Sequence, residues 1–154
     1  MPTEQTPYEG WEDEPTRNVV RLAAKRVLVA EDDPELRALV ANRMRANGCD
    51  VIEVGDGERA LDLLAAAAAD PVRTLEFDLA IMDVRMPGMS GLEVVYLSRI
   101  WEWPTAVLLV TAFPDPELLE ECARLGVPIL QKPFSLVSVG QAALAALRGE
   151  KVLS

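Results

Sequence analysis

The 154-residue chain contains no histidine. That absence excludes a Ser-His catalytic pair, an imidazole-ligated zinc and a phosphohistidine carried by the chain itself. Soft ligands are scarce too. The two cysteines, Cys49 and Cys122, stand far apart and outside any CxxC spacing, which argues against a structural zinc site. Two unpaired cysteines fit a reducing compartment, and the N-terminus MPTEQTPYEGWEDEPTR has no basic-then-apolar signal pattern, so the expected location is cytoplasmic. No apolar run reaches membrane-spanning length, so no membrane insertion is expected. Positive charge is in deficit, with 15 Lys+Arg against 25 Asp+Glu and a net charge of −10, which argues against nucleic-acid partners. What remains is oxygen chemistry: carboxylates, hydroxyls, lysines and hard cations.

Length fits one domain of average size. Residues 1–25 read as an acidic tail followed by a short basic segment, 26–148 as the folded domain and 149–154 as a C-terminal tail. The first sixteen residues hold five acids (Glu4, Glu9, Glu12, Asp13, Glu14) and no base, half of the net charge, and read as a solubilising arm. Tyr8 and Trp11 are its candidate anchors. Arg17, Arg21 and Lys25 follow at a spacing of four, which predicts one basic face of a short helix.

From Val27 onward short apolar runs alternate with longer amphipathic ones. Val27–Ala30, Val51–Val54, Leu79–Met82, Ala106–Val110 and Ile129–Leu130 read as strands. Between and after them stand helical patterns marked by Leu36/Leu39/Val40/Met44, the alanine-rich run 58–69, Leu92/Val95/Tyr96, Leu118/Leu119/Cys122/Leu125 and Leu136/Val139/Ala143/Leu144/Leu147. Asp115 before Pro116, and Ser135, are N-cap signals; Asn47-Gly48 and Gly126 are stop signals. Strands apolar along their whole length are buried on both faces. Five such βα units predict an open, doubly wound parallel sheet with helices on both faces, whose site lies beyond the carboxyl ends of the strands.

Glu31, Asp32 and Asp33 follow strand one, Asp83 ends strand three, Thr111 follows strand four, and Lys132 with Pro133 follows strand five. Crowded carboxylates repel, and a hard divalent cation such as Mg²⁺ relieves that. A carboxylate beside Mg²⁺ can take a phosphoryl group as an aspartyl phosphate, with lysine and hydroxyl steadying the phosphoryl oxygens. Asp33, ahead of Pro34, competes for a second role as helix N-cap.

Four segments carry a resemblance at this point: Val27-Leu28-Val29-Ala30-Glu31-Asp32-Asp33-Pro34, Ile81 to Gly91 (IMDVRMPGMSG), Val110-Thr111-Ala112 and Lys132-Pro133-Phe134. Together they resemble the receiver domain of two-component response regulators, over about residues 26–148. The resemblance implies a CheY-like (flavodoxin-like) fold with strand order 2-1-3-4-5. It implies Asp83 as phosphoacceptor, Thr111 and Lys132 as its phosphoryl contacts, and Mg²⁺ held by Asp32, Asp83, Glu31 through water, and the backbone carbonyl of Arg85. The implied donor is a phosphohistidine of a sensor histidine kinase or a histidine phosphotransfer protein. An unidentified downstream protein would receive the signal, with the last two helices as a candidate homodimer face.

Three departures stand out. Ile129 occupies the switch position, three residues before the lysine, where the family usually has Tyr or Phe; Phe113 is an alternative output element. The stretch Ala65–Glu76 is long, and no effector module follows the last helix, which predicts a stand-alone receiver. Trp101 and Trp103 flank Glu102, one expected at the core edge and one as a candidate contact. Two other readings stay open: a receiver-like binding module that no longer switches, and an Asp-nucleophile phosphatase. The phosphatase wants a second acid two residues after the nucleophile, where this chain has Arg85. The expected protein is therefore a signalling phosphoacceptor and not an enzyme.

Overall fold

A computed structural model describes residues 25–72 and 75–149. The acidic arm and all of the basic segment except Lys25 lie outside them. The short apolar runs form five strands: β1 (Arg26–Ala30), β2 (Asp50–Val54), β3 (Leu79–Asp83), β4 (Ala106–Thr111) and β5 (Ile129–Gln131). The amphipathic segments form α1 (Pro34–Ala46), α2 (Gly57–Ala69), α3 (Gly91–Ile100), α4 (Pro116–Leu125) and α5 (Leu136–Leu147). Every strand pairing is parallel, and the order is β2-β1-β3-β4-β5.

Local chemistry sets the helix boundaries. Asp33, Asp56, Ser90, Asp115 and Ser135 each cap a helix start with a side-chain oxygen that accepts a backbone N–H. Proline follows the cap in α1 and α4, where its missing N–H costs nothing. Gly126 ends α4 in the left-handed region, with φ of 69°. α2 is as long as α1 and ends at its C-cap Asp70; residues 73 and 74 of the long stretch expected at 65–76 lie outside the described residues.

Strand alternation divides the core in two. Val27, Val29, Leu79, Ile81, Leu108 and Val110 face α1 and α5, packing on Met44, Val139 and Ala143. Leu28, Ala30, Ala80, Met82, Leu109 and Ile129 face the other way, with Leu64, Val94, Val95 and Cys122 from α2, α3 and α4. Burial of each Val, Leu or Ile contributes about 1.5–3 kcal/mol, which is why runs apolar at every position persist in the three central strands. Both cysteines are buried in these layers. Trp103 packs partly buried against the second cluster, while Trp101, 53% exposed, stacks on it with ring centroids 5.2 Å apart.

One close approach ties the fold to its carboxyl edge. A Cβ on Gly91 would lie 2.4 Å from the carbonyl oxygen of Asp83, so α3 starts directly against the end of β3. Gly91→Ala is expected to cost about 1–3 kcal/mol of stability through this overpacking. Urea denaturation checks it: an unchanged midpoint would contradict the packing account.

Candidate functional site

The parallel register fixes which residues meet. Ala30 aligns with Met82, Asp83 with Val110, and Thr111 with Gln131. The next residues of β1 and β5 are Glu31 and Lys132, so both emerge beside Asp83. The backbone N–H of Lys132 donates to the Thr111 carbonyl at 2.7 Å, and the Lys132–Pro133 peptide is cis.

Lys132 reaches across the sheet edge. Its Nζ lies 2.7 Å from Asp83 Oδ2 and 2.6 Å from Glu31 Oε1, so one ammonium bridges two carboxylates. Glu31 and Asp83 are buried. Asp83 Oδ1 accepts the backbone N–H of Arg85 at 3.0 Å. Glu31 Oε2 accepts the N–H of Asp33 at 3.2 Å. Carboxylate oxygens of Glu31, Asp32 and Asp83 all lie within 4.8 Å of one another, with Asp32 exposed to solvent. These donors are all hard oxygens, a set that suits Mg²⁺ and suits soft metals poorly.

The electrostatics follow from burial and crowding. Burial pushes the Glu31 carboxyl up to about 7; Lys132 opposes that rise, and the neighbouring Asp32 and Asp83 add to it. Burial alone would lower the Lys132 ammonium, but hydrogen bonds and charge from Asp83 and Glu31 outweigh it and raise the group. The lysine is therefore held charged, and the pocket favours any further positive charge.

Glu31, Asp32, Asp83 and Lys132 converge. Asp33 takes its capping role, its Oδ1 accepting from the N–H groups of Glu35 and Leu36 at 3.0 and 3.4 Å. The Thr111 side chain is buried, and its hydroxyl accepts the N–H of Phe113 at 3.2 Å. Phe113 is 67% exposed, and the Arg85 guanidinium sits 5.7 Å from its ring centroid. Arg85 thus meets the site through its backbone N–H while its side chain lies on the rim. Ile129 is buried in the second apolar cluster.

Arg37 was not anticipated. It donates from Nη1 to the Glu31 carbonyl at 2.8 Å. A cation in the first turns of a helix is electrostatically disfavoured, and that was the available sign of a specific partner.

Comparison with known proteins agrees with this geometry. The model of the response regulator receiver domain matches residues 27–143. The transcriptional regulatory protein PdtaR of Mycobacterium tuberculosis is 34% identical over 125 residues, covering 79% of this chain and 56% of that protein. A cyclic di-GMP phosphodiesterase of Thermotoga maritima is 33% identical over 111 residues, covering 71% of this chain and 27% of that protein. The chain thus spans about half or less of the length of these relatives. Among solved structures, the receiver domain of NarL from Mycobacterium tuberculosis superposes with a TM-score of 0.72 at 30% identity, covering 83% of this chain and 99% of that one. Chemotaxis protein CheY4 of Vibrio cholerae gives 0.63 at 30% identity, with 85% and 100% covered. With fold, strand-end chemistry and relatives in accord, the chain belongs to the response regulator receiver domains of two-component systems.

Proposed function

We propose that Asp83 accepts a phosphoryl group from a phosphohistidine on a sensor histidine kinase or histidine phosphotransfer protein. The N–P bond of the donor breaks as an O–P bond forms on an Asp83 carboxylate oxygen. The observation that carries this reading is Lys132 Nζ, 2.7 Å from Asp83 Oδ2 at a buried strand end with two more carboxylates beside it. In that place the ammonium can follow charge from the carboxylate to the phosphoryl oxygens. Thr111 would exchange its bond from Phe113 for a bond to the phosphoryl group.

Glu31, Asp32, Asp83 and the carbonyl of Arg85 would hold Mg²⁺. Bound there, Mg²⁺ would neutralise charge on the transferring phosphoryl group. Arg85 stands where a phosphatase of this type needs its second acid, which supports a phosphoacceptor rather than an enzyme with turnover.

Residues 26–148 would act as a stand-alone receiver in the cytoplasm, handing its state to a partner protein or further along a phosphorelay. No helix among the described residues is long and apolar enough to cross a membrane. The net charge of −10 speaks against a nucleic-acid partner. Ile129 at the switch position leaves Thr111 and Phe113, on the rim, as the elements that report the phosphorylated state. The outer faces of α4 and α5 are the candidate homodimer surface.

Acetyl phosphate or a cognate kinase with Mg²⁺ is expected to label the wild-type chain and not Asp83→Asn, read by phosphate-affinity electrophoresis. Persistent stoichiometric labelling of Asp83→Asn would reject Asp83 as the acceptor.

A second outcome concerns pH. Folding raises the Glu31 carboxyl from 4.5 to about 7. Its stabilising contribution is therefore complete below 4.5 and lost as pH rises through about 7, where the ionised form stays buried. A divalent cation offsets the ionised form and competes with the proton below it. Mg²⁺ is expected to raise the melting temperature more at about pH 8 than at about pH 5.5. An equal or larger rise at the acidic pH would count against a carboxylate cation site containing Glu31.

A further inference from the structure

The Glu31 peptide is fixed on both sides. Its N–H donates to the Val54 carbonyl on β2 at 3.1 Å. Its carbonyl accepts from Arg37 Nη1 at 2.8 Å. The bond crosses from α1 to the loop that carries Glu31, Asp32 and Asp33. Arg37 is itself tied to that loop, because its backbone N–H donates to the Asp33 carbonyl at 2.9 Å. Backbone and side chain of one arginine therefore bracket the acidic segment.

Neighbouring groups show that this contact is specific. Glu53 is the obvious ionic partner, yet its Oε1 is 3.9 Å from Arg37 Nε. Arg45 holds Glu53 more closely, with Nη1 3.0 Å from Oε2. The shortest contact of the Arg37 guanidinium is thus a backbone carbonyl. Room for it comes from Gly55, where a Cβ would lie 3.0 Å from Arg37 Nη1.

We infer that Arg37 is a positioning residue for the cation site: it fixes the Glu31 peptide so that the Glu31 and Asp32 carboxylates face Asp83. This rests on the Mg²⁺-dependent phosphoacceptor reading above. Arg37 also brings a positive charge close to the acidic loop, and charge and position predict opposite signs. If only charge mattered, removing the guanidinium would tighten Mg²⁺ binding. Because the hydrogen bond orders the ligand loop, its loss weakens binding instead.

The test is calorimetric Mg²⁺ titration of the full chain as wild type, Arg37→Ala and Arg37→Lys, with amide spectra of each metal-free protein. Arg37→Ala is expected to lose about tenfold in Mg²⁺ affinity, as for other groups that orient metal ligands. Arg37→Lys, which keeps the charge and can donate to the same carbonyl, recovers part of the loss. Shifts in the metal-free Arg37→Ala spectrum centre on Glu31, Asp32 and Asp33. In labelling, the Mg²⁺ concentration for half-maximal rate rises while the rate at saturating Mg²⁺ holds. Unchanged or tighter binding in Arg37→Ala overturns the inference, as does weaker binding without a shift at Glu31–Asp33. If Arg37→Ala does not fold, Arg37→Met, which keeps the aliphatic stem and loses the donor, decides: a comparable loss of affinity with shifts at Glu31–Asp33 supports positioning, and near-wild-type binding overturns it. Wild-type protein that binds no Mg²⁺ would instead reject the cation site itself.

Discussion

One ammonium group lies between two buried carboxylates, and the carboxyl edge of the sheet is organised around it. Glu31 comes from the end of β1 and Asp83 from β3, and burial makes two like charges there costly. Lys132, delivered from β5 across the intervening β4, reaches both at hydrogen-bond distance. Removing the lysine would leave paired anions with little solvent to screen them, a more damaging change than the loss of an exposed ion pair. The compensation is incomplete, since Glu31 remains pushed upward.

The rest of the fold supplies distances for this balance. Parallel pairing in register puts β1, β3, β4 and β5 in line, so their ends deliver side chains to one rim. Apolar side chains on both faces of the sheet stiffen that alignment. Gly91 brings α3 against the Asp83 backbone, and Arg37 braces the acidic loop from α1. Asp83 and the acidic loop are thus steadied from opposite faces of the sheet.

Much of this was legible in the sequence because the signals are local. Strand runs such as Val27–Ala30 and Ala106–Val110, caps such as Asp33-Pro34 and Asp115-Pro116, and stops such as Gly126 act within a few residues. Strand-end residue types were equally visible, and parallel topology turned them into one cluster. Long reaches were not visible. The double bridge from Lys132 depends on how far β5 lies from β1. The Arg37 contact depends on an empty space beside Gly55 on a neighbouring segment. Periodicity carries neither fact. Two roles for Asp33 could be separated only by its hydrogen bonds, and the choice between Trp101 and Trp103 as the exposed ring required the turn after α3.

Ile129 has a consequence for how this domain presents itself. A phenol or phenyl ring at that place can trade a wet position for a dry one with little loss, because its apolar body and accessible edge suit both. A β-branched aliphatic side chain has few rotamers and gains nothing from water. Ile129, packed with Leu109, Val127 and Cys122, therefore acts as a fixed brick in the wall behind β5. Ile129 therefore gives the surface over β5 and α4 little means of following events at the strand ends. A protein docking there would recognise which domain it had met, and would have to read elsewhere, at the rim, what state that domain was in.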